Sequence, residues 1–229
     1  MKKPVFYTEI AYCLSLIILG LSTALMAYGD FGISTVVAPS YVLYLFVSKF
    51  WPFFSFGVAQ YVVQIAIVVL LIIILKKAKS YFLMSFIAGI IHNTALDISM
   101  LFIALLPNNI YLRIGLFAVG VILACASLAL IFVSYLPPMS YEMFSKELAK
   151  KFKKPVHKMV NLYNLGSLIV AVALSLIFFG KLKGVGIGTL ICAFSYGYII
   201  RFFQKTYNKL FEFTDKLNFR KFFEESEEK

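Results

Sequence analysis

The sequence predicts an all-α integral membrane protein with six transmembrane helices. Three observations favour this fold class: six long apolar stretches, few charged residues, and a one-sided distribution of lysine and arginine. Each stretch has about the 20 residues that a helix needs to cross the hydrocarbon core of a bilayer. Only 14% of the residues are charged and the mean hydropathy is +0.87, whereas soluble domains are about one quarter charged. The stretches are residues 9–28, 54–75, 82–106, 111–134, 159–180 and 184–203.

The basic residues predict the orientation of the chain. If the N-terminus is cytoplasmic, 18 of the 22 Lys and Arg residues fall on the cytoplasmic side. Lysine and arginine are enriched in the cytoplasmic loops of membrane proteins, so we predict that both termini are cytoplasmic. The protein is then a multi-pass membrane protein whose main partner is the lipid bilayer. The basic residues assigned to the outer side are Lys49, Arg113, Lys181 and Lys183.

The net charge of +11 does not indicate a nucleic-acid partner. The basic residues flank apolar spans, where they contact anionic lipid headgroups. Residues 1–28 also have the order of a signal peptide, but their long apolar run and the spans that follow favour a retained first span. Cys13, Cys125 and Cys192 lie far apart within spans, so we expect neither a metal site nor a cofactor.

The chain divides into two halves and a tail. Residues 1–110 hold three spans, residues 111–204 hold three more, and residues 205–229 form a charged tail. Corresponding spans of the two halves begin about 102 to 105 residues apart. A three-span repeat enters the membrane from opposite sides in its two copies, so the spacing predicts two inverted-topology repeats. Spans of uniform length would give similar spacing by chance, and that alternative stays open.

Each half has a long connector after its first span. In residues 29–53, the sequence predicts a short helix over about 40–50 that lies in the outer interface or enters the protein as a re-entrant segment. In residues 135–158, an amphipathic cytoplasmic helix is predicted over 139–154. Each helix either rests on the membrane surface or closes a central cavity from its own side. The apolar face of the second helix is Met143, Phe144, Leu148 and Phe152.

The tail alternates aromatic and charged residues from Leu210 to Phe223 and ends in an acidic sequence. This composition predicts an interfacial helix. The tail either anchors the chain at the membrane surface or, together with the cytoplasmic connector, docks a protein partner.

Three segments carry a resemblance to a known family. They are GDFGISTVVAPS at 29–40, LDISMLF at 96–102 and GVGIGTLICAFSYGYIIRFFQK at 184–205. Together they resemble the YczE/YyaS/YitT family of bacterial membrane proteins, which has a small-residue turn after the first span, an aspartate late in the third and a GIGT sequence in the sixth. The resemblance covers nearly all of the membrane region. It implies a bacterial plasma membrane and a transport or accessory role, and it identifies no catalytic residue.

Polar side chains within the spans are candidates for a solute pathway, because an ionisable group is costly there unless it is partnered. Asn93 and Asp97 are four residues apart and share a helix face, whereas His92 is rotated by about 140° from Asp97. Asp97 either forms a structural ion pair or hydrogen bond, with Arg113 as the nearest cation, or binds a substrate or proton. The pathway candidates are His92, Asn93, Asp97, Gln60, Gln64, Asn161, Asn164 and Arg113.

Two amide pairs occupy equivalent places in the two halves. Gln60 and Gln64 lie near the start of the second span, and Asn161 and Asn164 lie near the start of the fifth, about 100 residues later. Such pairs either hydrogen-bond between helices or line a polar pathway.

The glycine-rich start of the sixth span is a weaker candidate. Lys183, Gly184, Gly186 and Gly188 would present backbone N–H groups to an anion at a helix N-terminus. The same glycines also fit close helix packing or a local break. The spacing is not the dinucleotide fingerprint and no strand precedes it. Because no nucleophile–base set, metal cluster or P-loop is visible, we expect no enzymatic activity.

Three functions remain open. The first is a small-solute transporter or facilitator with a polar site between the halves. The second is the substrate-binding subunit of a multi-component uptake system. The third is a non-transporting accessory or scaffold protein. The sequence favours the first and does not name a substrate.

Overall fold

The computed structural model describes residues 3–78 and 81–217. This part of the chain contains eight α-helices and two short β-strands, and six of the helices are long and apolar enough to cross a membrane. In chain order the elements are β1 (Val5–Tyr7), α1 (Thr8–Gly29), α2 (Ala38–Val47), α3 (Phe56–Leu75), α4 (Tyr81–Ile103), α5 (Ile110–Ile131), α6 (Ser140–Phe152), α7 (Val156–Phe179), α8 (Ile187–Leu210) and β2 (Glu212–Thr214).

The six predicted spans are confirmed as α1, α3, α4, α5, α7 and α8. All ends except the C-terminal end of α8 agree within three residues, and two differences have a clear physical reason. α4 ends at Ile103 rather than 106, because the chain turns before Pro107 and the residue preceding a proline disfavours the helical region. α8 continues to Leu210 rather than 203, because its last residues, although polar, include good helix formers such as glutamine and lysine.

The first span, α1, is the central helix of the bundle. It packs against both α4 and α5 and is the most buried of the six spans. Gly20 permits the close approach to α4: a Cβ there would lie 2.6 Å from the carbonyl oxygen of His92. Small residues at such crossings allow helix backbones to come together in a membrane.

The two short helices of the connectors lie within the bundle. α2 packs against α3 and α7, and α6 packs against α3, α4 and α7. The expectation that α6 rests on the membrane surface is wrong for its first turns, because Ser140, Tyr141 and Met143 are buried. Of the predicted apolar face, Met143 and Phe144 are buried and Phe152 is 55% exposed, while the polar Glu147 is buried as well.

The helix pairings fall into matching sets. α1 packs on α4 as α5 packs on α8, α2 packs on α3 as α6 packs on α7, and α2 packs on α7 as α3 packs on α6. Two pairings lack a counterpart. α3 packs on α4 whereas α7 and α8 barely approach each other, and α6 contacts α4 whereas α2 does not pack on α8. In the first half of the chain α3 and α4 are therefore in contact, whereas the corresponding helices of the second half, α7 and α8, are separated.

A two-stranded parallel sheet joins the two ends of the described chain. β1 pairs with β2 in the register Val5↔Glu212, and the Glu9 carboxylate accepts hydrogen bonds from the backbone N–H groups of Lys216 and Leu217. The predicted tail helix is therefore wrong over 212–214. Phenylalanines alternate with other residues there, a period-two pattern typical of a strand. The rest of the tail, residues 218–229, lies outside the described residues.

Candidate functional site

A cavity of about 860 Å³ lies between α5, α6, α7 and α8. It occupies the gap between α7 and α8. It is lined by residues from the ends of α5 and α7 that we predict to be cytoplasmic, from the middle of α8 and from the segment after α1. The polar residues that line it are Ser34, Thr35, Ser134, Tyr135, Tyr141, Glu142, Ser145, Lys146, Asn161, Tyr163, Asn164 and Tyr196.

The short helix α6 brings an acidic side chain to this cavity. Glu142 lies in its first turn, and its Oε2 atom is buried without a hydrogen-bond partner among the described residues. Burial disfavours the charged form of a carboxyl group, and it raises the pKa of Glu142 to about 7. Glu142 can therefore exchange a proton near neutral pH, unlike a solvated glutamate.

A smaller cavity of about 70 Å³ lies beside the first and shares Glu142, Tyr141 and Tyr196 with it. His92 of α4 reaches this small cavity. Its Nδ1 atom lies 2.9 Å from the Oδ1 atom of Asn93, and both side chains are buried. The sequence-predicted His92 thus shares the small cavity with an acid that sequence reasoning missed.

Asp97 takes no part in either cavity. Its carboxylate accepts hydrogen bonds from the Ser55 hydroxyl at 2.6 Å and from the Gly57 backbone N–H at 2.7 Å. It therefore caps the N-terminus of α3, where a negative charge offsets unpaired N–H groups and the helix dipole. Each of its two carboxylate oxygen atoms has a hydrogen-bond donor within the protein, which is the pattern of a structural residue.

We expect Asp97→Ala to destabilise the protein by about 1–3 kcal/mol, because it leaves the Gly57 N–H and the Ser55 hydroxyl without their acceptor. Asp97→Asn should lose less, since its amide oxygen can still accept a hydrogen bond. Thermal unfolding of the detergent-purified variants measures both. A fully stable Asp97→Ala variant that had lost solute binding would contradict the capping role and support the substrate-binding hypothesis.

Arg113 pairs with a different acid from the one the sequence suggested. Its guanidinium lies 3.3 Å from Asp30 and donates to the carbonyl oxygen of Gly29 at 3.0 Å. The suggested Arg113–Asp97 pair is therefore wrong. Asp97 is turned towards α3, so the end of α1 supplies the partner of Arg113.

The two amide pairs do not converge on one site. Asn161 and Asn164 line the large cavity, whereas Gln60 and Gln64 are fully buried elsewhere. Gln64 packs against Gly89 of α4, in the closed contact between α3 and α4. The amides of the first half therefore lie in a packed interface, and those of the second half face open space.

The glycine-rich start of α8 packs against the turn that follows α1. A Cβ on Gly32 would lie 2.5 Å from the backbone nitrogen of Gly186, so only glycine allows this approach. The N–H of Gly188 donates to the carbonyl oxygen of Phe31 at 2.7 Å, and that of Gly186 lies 3.3 Å from Thr189 Oγ1. The N–H of Lys183 likewise donates to Ser175. These donors have protein acceptors, which favours close packing over the anion-contact hypothesis for Lys183, Gly184, Gly186 and Gly188.

Comparison with known proteins gives a family. A protein-family model described as "Family of unknown function (DUF6198)" matches residues 6–205. The chain belongs to this family. No curated protein and no solved structure matches it. The match to DUF6198 includes every residue that lines the large cavity, and it ends within α8.

Sequence reasoning on this DUF6198 chain missed Glu142, although a signal for it exists. The dipeptide Ser40–Tyr41 opens α2, and Ser140–Tyr141 opens α6, 100 residues later. All four residues are buried, and the Tyr141 hydroxyl lies beside the Ser40 side chain. This internal repeat marks the starts of the two short helices as interior positions. Glu142, the next residue, is then an interior acid rather than part of a solvated face.

Proposed function

We propose that this DUF6198 protein is a small-solute transporter or facilitator in a bacterial plasma membrane, with the solute bound in the large cavity. The observation that carries the proposal is a cavity of about 860 Å³ with a buried carboxyl group, set between membrane-spanning helices. Pockets of 300–1,000 Å³ accommodate small organic molecules. An acidic side chain buried among membrane-spanning helices is rarely retained for packing alone. The resemblance to YczE/YyaS/YitT proteins agrees with such a role.

We further infer that the two halves are inverted repeats. Exchanging α1–α4 with α5–α8 leaves three sets of helix pairings unchanged, which chance spacing of six spans does not explain. The Ser–Tyr dipeptides at the starts of α2 and α6 support the same exchange. Substrate sites of such transporters lie next to interrupted or short helices. The large cavity lies mainly within the second half and borders the short helix α6.

The departure from symmetry supports alternating access. α3 and α4 are packed together while α7 and α8 stand apart around the cavity. Exchanging these two arrangements would close the present cavity and open an equivalent one between α3 and α4 on the opposite side. With the basic residues cytoplasmic, the present arrangement faces the cytoplasm.

Solute movement into proteoliposomes tests this function. A mixture of amines, amino acids, sugars and carboxylates is added outside, and the lumen is analysed by mass spectrometry. We expect Asn164→Leu, which alters the cavity wall, to slow uptake of the transported solute about tenfold, the effect of one lost hydrogen bond to a bound solute. The control Leu165→Ala alters the exposed neighbour and should leave uptake unchanged.

A folded wild-type protein that moved none of these solutes would contradict the proposal. If the protein moved no solute by itself but co-purified with an ATPase, the uptake-subunit alternative would be favoured. If it neither moved a solute nor co-purified with an ATPase, the accessory alternative would be favoured.

A further inference from the structure

The charged residues of the large cavity are few and differ in their surroundings. Among the described lining residues, only Glu142 and Lys146 carry a charge, and they lie one turn apart on α6. Glu142 lines both cavities, and its Oε2 atom has no hydrogen-bond partner among the residues that the structure describes. A buried carboxylate is unstable unless a cation or a proton neutralises it. The Glu142 carboxylate therefore favours the binding of a positively charged group in the cavity.

Three tyrosine side chains share the large cavity with this carboxyl group. Tyr141 of α6, Tyr163 of α7 and Tyr196 of α8 all line the cavity. The rings of Tyr141 and Tyr163 lie 6.4 Å apart at 42° to each other, so they form two walls rather than one stack. The faces of aromatic rings attract organic cations, and about half of the remaining lining residues are aliphatic. Such walls suit a cation that carries hydrocarbon, rather than a small hydrated metal ion.

We propose that the cavity selects a small organic cation, an amine or quaternary ammonium compound, whose charge is held by the Glu142 carboxylate against the walls formed by Tyr141, Tyr163 and Tyr196. This inference rests on the proposed function, because it assigns a substrate class to the same cavity. It requires that cation and proton compete for one carboxyl group.

Competition with a proton gives the inference a pH signature. Because the pKa of Glu142 is about 7, the carboxylate is mostly protonated at pH 5.5 and mostly charged at pH 8. Cation affinity should therefore rise with pH and level off above pH 7. The other described titratable groups that line these cavities or interact with Glu142 belong to several elements. They are Tyr12 of α1, His92 of α4, Tyr135 after α5, Tyr141 and Lys146 of α6, Tyr163 of α7 and Cys192 and Tyr196 of α8.

Three probes of similar shape and different charge test the substrate class. They are phenethylamine, 2-phenylethanol and phenylacetate, titrated into the detergent-purified full chain by isothermal calorimetry at pH 5.5 and pH 8. We expect phenethylamine to bind at least tenfold more tightly than the other two at pH 8, and at least tenfold more weakly at pH 5.5 than at pH 8. Glu142→Gln should weaken its binding at least tenfold and abolish the pH dependence.

Lys151→Gln is the matched control, since Lys151 lies on the same helix α6, is exposed, and lines neither cavity. It should change the Kd for phenethylamine less than threefold and preserve the pH dependence. A pH dependence that survived Glu142→Gln would assign the titration to His92 and overturn the inference. So would equal binding of the three probes, or tighter binding of phenylacetate. If Glu142→Gln does not fold, the wild-type protein tests the inference through two measurements. These are the preference for phenethylamine over the neutral and anionic probes and the change of its Kd between pH 5.5 and pH 8.

Failure of this inference and failure of the proposed function are distinguishable. Uptake of a neutral or anionic solute into proteoliposomes, with no preference for phenethylamine, would overturn the substrate class and leave the transporter intact. Absence of both binding and uptake for every solute would overturn both.

Discussion

Gly20→Ala is expected to be among the most destabilising single-methyl substitutions in this protein. A Cβ at this position would lie 2.6 Å from the carbonyl oxygen of His92 and 2.8 Å from the backbone nitrogen of Leu96. Both atoms belong to the backbone of α4, so no side-chain rotation relieves the contact. Helix α1 would have to move away from α4, and since α1 also packs on α5, the displacement would propagate through the centre of the bundle.

Gly115→Ala in α5 is the matched control. Gly115 lies inside a helix with no atom within 4 Å of the added Cβ. Alanine favours a helix over glycine by about 0.5–1 kcal/mol, so this variant should be as stable as the wild type or slightly more stable. Gly20→Ala should lose about 1–3 kcal/mol or more from overpacking, despite the same gain in helix propensity. The apparent Tm in detergent compares them, and equal values would contradict the tight α1–α4 crossing.

The membrane spans were predictable because the bilayer imposes one simple requirement on them. A helix of fixed length must be apolar over that length, and this pattern is visible one span at a time. The two short helices were also predictable, from a proline-bounded apolar run and from helical spacing of apolar residues. Their burial was not predictable in this way, because it depends on which helices surround them rather than on their own composition.

The sites of the polar residues were harder to predict. Asp97 was singled out because it is an acid within a span, but its partners, Ser55 and Gly57, lie about 40 residues earlier, at the start of another helix. Glu142 was passed over because a lysine-rich stretch follows it in sequence and such a segment resembles a solvated surface helix. In both cases the decisive contacts are tertiary. Sequence reasoning can nominate polar groups in a membrane protein, but only the packing shows which of them are satisfied.

Linking α7 to α8 across the cavity is expected to abolish solute uptake. The inverted-repeat proposal requires these helices to approach each other in one half of the transport cycle and to separate in the other. Asn164 of α7 and Gly197 of α8 both line the cavity, and no atom lies within 4 Å of a Cβ added to Gly197. Cysteines at these two positions, joined by a short bis-maleimide in a chain whose native cysteines are replaced by alanine, would hold the cavity shut. Both solute binding and uptake should fall at least tenfold relative to the same double-cysteine variant before linking.

A second link, between α3 and α4, separates alternating access from simple blockage of the cavity. Tyr61 and Phe86 already pack together, with ring centroids 5.8 Å apart, and both lie outside the cavity. Cysteines joined at these positions would keep the first half closed, so the cavity should still bind solute while uptake is lost. A fixed channel through the large cavity would instead keep its uptake when α3 is linked to α4. Loss of uptake with retained binding in this variant therefore requires the first half to open during transport, since the link touches no residue that the solute contacts.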